Sequence, residues 1–256
     1  MYYYRLISSM LKAVISTLGT GLYAVYKAES NALASLTTNL YAVYKAESNA
    51  NDSLGNYNGT AQGGLTYSGG KSGNAFTFNG TTAYVSLPNN TFNSILSGDF
   101  SISLWVNVAS TSSFQTLFSN FKSDGGGVYH GIILGINSNQ FRFQIYNNTT
   151  EVLLQAGFTV TTNTWHNIVV TRKYSTGTKI YINGTLITSN TNVTNPDIVA
   201  LMYANIGAYI NASGVPSGEY MSNNSKIDEL NAWNKELTAT EVTELYNAGA
   251  GKFYPY

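Results

Sequence analysis

The acidic side chains are the groups in this sequence whose spacing can be tested against a known chemistry. A retaining glycosidase needs two carboxylates about 5 Å apart, one on each side of the scissile bond. Glu47 and Asp52 lie in a turn-rich stretch and are too far apart for that role. Asp228 and Glu229 are adjacent, so on a strand they would face opposite sides of the sheet. The carboxylates therefore predict a protein that is not an enzyme.

The charge content narrows the range of partners. The chain has 13 basic and 13 acidic residues, and charged residues make up only 10% of it, against about 25% in ordinary globular proteins. A surface with so little charge offers no basic patch to nucleic acid or to an anionic membrane. The chain has no cysteine, which excludes disulfides and cysteine-ligated zinc. No run of ~18 uninterrupted apolar residues is present, so we expect no transmembrane helix.

An eleven-residue string, LYAVYKAESNA, occurs at Leu22–Ala32 and again at Leu40–Ala50. The first copy is rich in good helix formers and predicts either a helical spacer or a spare strand that pairs with a sheet edge. The second copy runs into NDSLGNYNGT, a stretch of turn residues, and is predicted to be a strand. We therefore divide the chain into an arm, residues 1–39, and a globular domain, residues 40–256.

The arm carries an amphipathic pattern over Arg5–Leu18. Its apolar residues recur at one-, three- and four-residue steps, as on one face of a helix. These residues are Leu6, Ile7, Met10, Leu11, Val14, Ile15 and Leu18. Such a face needs a partner, which is either the protein's own domain or another subunit. The stretch resembles a signal peptide, but Lys12 interrupts it and Met1 is retained, so we expect an assembly helix.

Beyond the second copy, short strand-like runs alternate with turns. The run Phe100–Val108 alternates strictly and places Trp105 on the face opposite its apolar residues. Asn183-Gly184 lies between two further runs, which is a strong hairpin signal. Thr238 and Glu241 have the spacing of a capping box and predict a C-terminal helix. The pattern predicts an all-β fold, a two-sheet antiparallel jelly-roll sandwich with one short C-terminal helix.

Several motifs in this order resemble those of laminin-G-like jelly-roll domains in the concanavalin A-like lectin/glucanase superfamily. They are YKAESNANDSLGNYNGT, YSGGKSGNAFTFNGTTAYVSLPN, FSISLWVNV, TWHNIVVTR, KIYINGTLI, NIGAY and KIDELNAWNKELTATEVTELYNAG. The resemblance covers about Leu40–Gly249. It implies two stacked sheets, one convex and one concave. Fold alone does not give function, since the family includes sugar binders, adhesion modules, glucanases and surface proteins of bacteria and phages.

The resemblance also implies a structural Ca²⁺ where the N-terminal turn meets the last strand. Calcium takes several hard oxygen ligands, and the candidates here are Glu47, Asn51, Asp52 and Asp228. The alternative is that Asp52 caps a turn and Asp228 accepts backbone hydrogen bonds.

Exposed aromatic rings are the groups that would stack on a sugar. Trp105 faces either a groove or a second layer of the protein. Tyr203, Tyr209 and Tyr220 lie in or near late loops, where ligand-binding residues cluster. These four residues are the predicted glycan site.

Two functions fit the sequence. The one we favour is a non-enzymatic structural protein on the surface of a particle such as a phage virion. Its arm would dock on other virion or surface-layer proteins, or on further copies of the chain, and its sandwich would face glycans or a host surface. The alternative is a secreted or cell-surface glycan-binding module. An apolar helix and a duplicated segment have no use in a free lectin, which favours the particle protein.

Overall fold

The computed structural model of the chain describes residues 24, 25, 27, 35–211, 216 and 219–256. The chain divides into two compact units, Met1–Thr38 with Tyr256, and Asn39–Pro255. In the first unit, residues 24, 25, 27 and 35–37 are helical. The predicted assembly helix, Arg5–Leu18, lies outside the described residues.

The second unit contains two antiparallel sheets. The strands of the first are β1 (Leu40–Tyr44), β3 (Thr66–Gly69), β4 (Asn74–Thr77), β6 (Phe100–Asn107), β11 (Trp165–Lys173), β12 (Gly177–Ile182), β13 (Thr185–Asn190) and β15 (Lys226–Trp233). This eight-stranded sheet has the order β13-β12-β11-β6-β15-β4-β3, and β1 pairs with β15.

The second sheet has seven strands in the order β10-β9-β8-β7-β14-β5-β2. Its strands are β2 (Thr60–Gln62), β5 (Tyr84–Ser86), β7 (Gln115–Gly125), β8 (Val128–Asn137), β9 (Gln140–Asn148), β10 (Thr150–Thr159) and β14 (Tyr203–Ile206). The predicted two-sheet antiparallel sandwich is confirmed.

The core lies between the sheets and follows the alternation of side chains along each strand. In β6, Phe100, Ile102 and Leu104 point inward, and in β8, Ile132 and Leu134 do so. Each of these side chains is fully buried, which stabilises the fold by about 1.5–3 kcal/mol per side chain. The alternate residues of each strand therefore face outward, and this alternation defines the outer face of the seven-stranded sheet.

Two short α-helices lie within the described residues of the second unit: α1 (Asn93–Leu96) and α2 (Ala239–Tyr246). A 3₁₀ turn, Asn247–Gly249, follows α2. The predicted capping box is confirmed, since Thr238 Oγ1 accepts a hydrogen bond from Glu241 N at 3.3 Å and Glu241 Oε2 accepts one from Thr238 N at 2.7 Å. None of the helices in the described part of the chain is long and apolar enough to cross a bilayer.

The two copies of the repeated string differ in secondary structure. Ala24, Val25 and Lys27 of the first copy are helical, whereas Leu40–Tyr44 of the second form β1. β1 pairs antiparallel with β15, and Tyr44 lies opposite Leu230. Because the two strings are identical, the residues that follow each copy and the contacts it makes decide its conformation.

Candidate functional site

A groove of about 420 Å³ lies on the outer face of the seven-stranded sheet. Ile133 of β8 lies in its floor, because its neighbours Ile132 and Leu134 point into the core. Strand register places Ser119 of β7 and Gln144 of β9 on either side of Ile133, on the same face. The floor is therefore formed by β7, β8 and β9. Each of these strands is hydrogen-bonded to a neighbouring strand on both sides, so the floor is rigid.

A glycine in β8 keeps the floor clear of side chains at one end. Gly135 is two residues from Ile133, so it shares its face. A Cβ at Gly135 would lie 3.1 Å from the ring Cζ of Phe114 and 2.6 Å from the carbonyl oxygen of Gln115. Glycine at this position therefore allows the ring of Phe114 to rest against the strand at one end of the groove.

Four aromatic rings form one side of the groove. The ring centroid of Phe121 lies 5.3 Å from that of Tyr146, 5.1 Å from that of Tyr209 and 5.9 Å from that of Tyr129. The contacts with Tyr146 and Tyr209 are edge-to-face, a favoured arrangement of aromatic pairs. Tyr129 is 39% exposed, so part of its ring is open to a ligand. We call these four residues the aromatic wall.

Gln144 supplies a buried polar group in the floor. It is 4% exposed, and its Nε2 donates hydrogen bonds to Tyr146 Oη and, at 2.7 Å, to Glu151 Oε1. Its Oε1 has no hydrogen-bond partner among the described residues. A buried acceptor left unpaired costs about 1–3 kcal/mol. A ligand hydroxyl that donates to Gln144 Oε1 would remove that cost.

Arg142 lies opposite the aromatic wall. Its guanidinium carbon is 5.0 Å from the ring centroid of Phe114, and its Nη2 is 3.5 Å from Glu151 Oε1. Its Nε has no partner within the described part of the chain. The arginine is thus oriented by a cation–π contact and an ion pair, and it retains one donor for a ligand.

Glu219 completes the lining. Its carbonyl oxygen accepts a hydrogen bond from Thr116 N at 3.0 Å, which holds this residue against the start of β7. Burial raises the pKa of the Glu219 carboxyl, and the charge of Arg142 opposes this rise. Burial also raises the pKa of Tyr146, and the charge of Glu151 adds to that effect. Both shifts indicate that the groove is partly removed from bulk water.

This set of groups suits a particular kind of ligand. Aromatic faces bind the apolar face of a ring, while Gln144 Oε1, Arg142 Nε and the Glu219 carboxylate bind polar groups at its edge. A groove that combines aromatic side chains with a few fixed polar groups is typical of a small-molecule site. The arrangement fits a ring-shaped ligand with one apolar face and several hydroxyl groups.

One of the four predicted glycan residues lines this groove. Tyr209 belongs to the aromatic wall. Tyr203 lies beside the aromatic wall, opposite Phe121 in the sheet register. Tyr220 lies outside the groove and packs on Tyr84, with ring centroids 6.5 Å apart. The loop positions of these tyrosines therefore did not separate Tyr209, which lines the groove, from Tyr203 and Tyr220, which do not.

Trp105 does not belong to the site. It lies in the eight-stranded sheet and is 3% exposed. The ring of Tyr246 stacks on it at a centroid distance of 6.0 Å, and Lys71 Nζ lies 4.5 Å from its ring centroid. Trp105 was predicted to face either a groove or a second layer of the protein. It faces a second layer, because α2 and Lys71 cover its ring.

Asp52 of the predicted calcium set is fully engaged by the backbone. Its Oδ1 accepts hydrogen bonds from Val43 N at 2.9 Å and Leu54 N at 3.0 Å. Its Oδ2 accepts from Asn56 N at 3.1 Å and Tyr57 N at 3.2 Å. This is the turn-capping role that was the alternative to calcium. Asn51 beside it is exposed.

Asp228 and Glu47 lie elsewhere, around the Gly70–Gly73 turn. Asp228 Oδ2 accepts hydrogen bonds from Lys71 N at 2.7 Å and Ser72 N at 3.0 Å, while Glu47 Oε2 accepts one from Asn74 N at 3.0 Å. Burial raises the pKa of Asp228 to about 7, and the backbone hydrogen bonds partly oppose the shift.

Glu229 joins this cluster, against expectation. A β-bulge interrupts the register of β15 with β6 between Asp228 and Asn231, and Glu229 has φ 49°. Ile227 and Leu230 both point into the core, so the bulge puts Asp228 and Glu229 together on the other side of the strand. The prediction that these two carboxylates face opposite ways is therefore wrong. Both are buried, so the pair is not accessible to a substrate.

The carboxylate cluster of Glu47, Asp228 and Glu229 has the oxygen chemistry that calcium prefers. Burial, followed by the charge of Asp228, raises the pKa of Glu229 to about 8. Asp228 Oδ1 and both carboxylate oxygens of Glu229 lack partners in the described chain. Among the described residues, no group of three or more His, Cys, Asp or Glu side chains is spaced to hold a metal ion. Calcium stays a prediction, and of its four predicted ligands Glu47 and Asp228 lie around the Gly70–Gly73 turn, whereas the Asp52 carboxylate is occupied by backbone N–H groups.

The arrangement of strands around the groove and the cluster matches a known family. The family model described as concanavalin A-like lectin/glucanases superfamily, of the laminin-G type, matches residues 79–243. The chain belongs to this superfamily. The resemblance predicted from the motifs is thus confirmed. None of the curated protein sequences matches the chain.

Solved structures similar to this superfamily member include domains of an extracellular arabinanase, a mosquitocidal protein and a botulinum neurotoxin. Domain 4 of AbnA, an extracellular arabinanase from Geobacillus stearothermophilus solved with arabinotriose, has 22% identity and a TM-score of 0.64, and the match covers 83% of this chain and 98% of that one. The binding domain of Paraclostridial Mosquitocidal Protein 1 has 18% identity and a TM-score of 0.66, covering 82% of this chain and 52% of that one.

A structure of botulinum neurotoxin type C, whose cell entry depends on two ganglioside molecules, has 19% identity and a TM-score of 0.65. The match covers 84% of this chain and 52% of that one. This chain thus spans about half the length of the two toxin chains. At these identities the likeness establishes the fold alone.

Most of the residues that line the groove were not predicted from the sequence. Phe114, Phe121, Arg142, Gln144 and Glu219 all line the groove. A signal for three of them was present, because the strand alternation of β7 and β9 assigns Phe121, Arg142 and Gln144 to the face opposite the core residues. Local sequence gives no such signal for Phe114 and Glu219, which reach the groove from connecting segments.

Proposed function

We propose that the sandwich is a non-enzymatic glycan-binding module and that its binding site is the groove on the outer face of the seven-stranded sheet. The observation that carries this proposal is the unpaired, 4% exposed Gln144 Oε1 beside the aromatic wall. Stacking rings next to a buried acceptor is the combination that a sugar needs, because its ring has an apolar face and its edge carries hydroxyl donors.

The solved relatives support the class of ligand. The arabinanase domain was solved with arabinotriose, and the type C neurotoxin depends on gangliosides for cell entry. Those ligands belong to those proteins, and they support a saccharide as the class for this groove. The adjacent carboxylates Asp228 and Glu229 are buried, so this pair cannot serve as the acid and the base of a hydrolase.

A glycan array followed by titration calorimetry with the full chain tests the proposal. We expect the wild-type protein to bind a defined saccharide and Tyr129→Ala to weaken that binding about tenfold, since a lost stacking contact costs on the order of 1 kcal/mol. Tyr174→Ala is the matched control, because Tyr174 is 53% exposed but lies next to β11 in the other sheet. Equal affinities of the two variants, or no glycan bound by the wild type, would contradict the proposal.

The second part of the proposal concerns the arm. We infer that it attaches the sandwich to the surface of a particle, such as a phage virion, through other particle or surface-layer proteins or further copies of the chain. The amphipathic pattern of Arg5–Leu18 and the division of the chain after Thr38 favour this function. A glycan-binding module that acts at a cell surface or in the extracellular space is the alternative.

Sedimentation velocity on the full chain and on a deletion of residues 1–38 separates these possibilities. We expect the full chain to self-associate or to sediment with particles, and the deletion to be monomeric with the β-sheet circular dichroism signal retained and unchanged glycan affinity. A full chain that stays monomeric and does not associate with any particle fraction would refute the docking role.

A further inference from the structure

The charges that face the groove are unequal in number. One guanidinium, Arg142, faces two carboxylates, Glu151 and Glu219. Arg142 Nη2 lies 3.5 Å from Glu151 Oε1, and Glu151 also accepts a hydrogen bond from Gln144. The charge of Arg142 is therefore offset by Glu151 before any ligand binds, and the carboxylate of Glu219 is left without a cation of its own.

The cations near the aromatic wall are paired as well. Lys122 Nζ lies 2.6 Å from Asp124 Oδ1. His130 lies between two carboxylates, with Nε2 3.0 Å from Asp124 Oδ2 and Nδ1 2.8 Å from Asp197 Oδ2. The described residues at this end therefore add no net positive charge to the groove, even when His130 is protonated.

The open hydrogen-bonding positions in the groove are mainly acceptors. Gln144 Oε1 is an unpaired acceptor, and a carboxylate such as Glu219 accepts through both oxygens. Arg142 Nε is the matching unpaired donor. Acceptors of this kind bind hydroxyl and amide hydrogens, which neutral sugars supply, and they repel carboxylate, sulfate and phosphate oxygens.

We propose that the groove selects neutral, hydroxyl-rich saccharides and discriminates against acidic ones, with Glu219 as the residue that excludes the acidic group. This inference rests on the proposed glycan-binding function and names the class of saccharide that the site accepts. Glu219 acts as a specificity-determining residue, since it lines the groove and Arg142, the one cation among the described lining residues, is already paired with Glu151.

The expected size of the discrimination follows from Coulomb's law. Two like charges repel weakly in water and about four times as strongly at the effective dielectric constant of about 20 that applies near protein surfaces. The groove is partly open, so a value between these limits applies. It corresponds to a preference for the neutral ligand of on the order of tenfold.

An array of paired glycans tests the inference, each pair consisting of a neutral oligosaccharide and its sialylated or uronic-acid-capped counterpart. Titration calorimetry with the full chain then measures both members of the best pair. We expect the acidic member to bind about tenfold more weakly. Glu219→Gln keeps the shape of the side chain and removes its charge, so this variant should bring the two affinities within about threefold.

The possible outcomes separate the inference from the proposed function. If the wild type binds the acidic member as tightly as the neutral one or more tightly, the inference is overturned and the glycan-binding function stands. If the wild type prefers the neutral member and Glu219→Gln has the same preference, the role of Glu219 is overturned. If the wild type binds no glycan on the array, the proposed function itself fails. Thermal unfolding of Glu219→Gln establishes that the variant is folded.

Discussion

The rings of Phe121 and Tyr146 meet in an edge-to-face contact, 5.3 Å between centroids and 68° between planes, although a whole strand separates their backbones. Phe121 lies in β7 and Tyr146 in β9, and both are in register with Gly131 of β8. Strands two apart in a sheet are about 9.5 Å from each other. The two rings therefore lean toward one another across β8, over the position of Gly131.

Replacement of Gly131 by alanine should weaken both the fold and the groove. Gly131 has φ +94°, and a Cβ there would lie 1.9 Å from the carbonyl oxygen of Asn120. We expect Gly131→Ala to lower the free energy of unfolding by about 2 kcal/mol or more, measured by urea denaturation, because backbone strain and steric overlap add. Saccharide binding should weaken as the rings of the aromatic wall are displaced.

Gly125→Ala is the matched control for this prediction. Gly125 also has positive φ, +81°, but a Cβ there would meet no atom within 4 Å. Gly125→Ala should lower the free energy of unfolding by about 1 kcal/mol, because only the backbone strain of positive φ applies there. If Gly131→Ala costs no more than Gly125→Ala, the close approach of Asn120 is not what requires glycine in β8.

The elements that were predicted correctly are those with a strong local signal. β6, Phe100–Asn107, coincides with the predicted alternating run Phe100–Val108 to within one residue, and α2 follows the predicted capping box. Asn183-Gly184 forms the predicted hairpin, with Ile182 opposite Thr185. In each case the residues that specify the element are adjacent in sequence, so periodicity and turn chemistry are sufficient.

The bulge at Glu229 could not be predicted in the same way. It arises because β15 pairs with β6 in two registers that differ by one residue on either side of the bulge. Nothing in KIDELNAW itself indicates that shift, since the partner strand sets it. The simple alternation rule therefore failed at Asp228 and Glu229, where the chain buries two adjacent carboxylates.

The groove shows a similar limit. Strand alternation assigns Phe121, Ile133 and Gln144 to one face of their strands, but it does not say which strands lie side by side. It also does not say which face a helix covers, and α2 covers the face that carries Trp105. Sheet order and helix placement are long-range properties, so the site became visible only with the tertiary structure.

The buried carboxylates predict that the protein loses stability as pH rises. The pKa of Glu229 is raised by burial from its ordinary 4.5 to about 8, so the folded state retains a proton that the unfolded state has lost. This stabilisation is fully present below about pH 4.5 and is lost as pH rises through about 8. We expect the free energy of unfolding to fall by about 2–4 kcal/mol across this range in urea denaturation with EDTA present.

Glu229→Gln should flatten that pH profile and stabilise the protein at pH 9. Glutamine carries no charge at any pH, so the cost of burying the ionised group disappears. Asp228 also has a raised pKa, so part of the pH dependence should remain in the variant. Glu151→Gln is the control, since Glu151 lies in β10 of the other sheet and its side chain is 43% exposed. An unchanged slope in Glu229→Gln would mean that another group titrates.

Calcium binding at the carboxylate cluster is a third prediction. A divalent cation offsets the same buried charge that protonation offsets, so its effect should appear at pH 8 and fade at pH 5, where the carboxylates are protonated. We expect millimolar CaCl₂ to raise the Tm of EDTA-treated protein at pH 8 by roughly 5–10 °C, as saturating ligand does for a domain of this size. Asp228→Asn should abolish the shift, and an unchanged Tm in the wild type would exclude the site.

Asp52 should stabilise the fold without taking part in calcium binding. Its carboxylate accepts four backbone hydrogen bonds, two on Oδ1 from Val43 and Leu54 and two on Oδ2 from Asn56 and Tyr57. In Asp52→Asn one oxygen becomes an amide nitrogen that cannot accept, so two N–H groups lose their partner. We expect a loss of about 2–3 kcal/mol in urea denaturation with EDTA present.

The neighbouring exposed residue supplies the comparison for Asp52. Asn51→Ala should change the free energy of unfolding by less than about 0.5 kcal/mol, as surface substitutions usually do. Both variants should retain the full calcium-dependent rise in Tm, because neither side chain belongs to the Glu47, Asp228 and Glu229 cluster. One result would instead make Asp52 a calcium ligand. In that case Asp52→Asn would be as stable as the wild type in EDTA but would no longer respond to calcium. The four backbone hydrogen bonds of Asp52 would then contribute nothing to the fold.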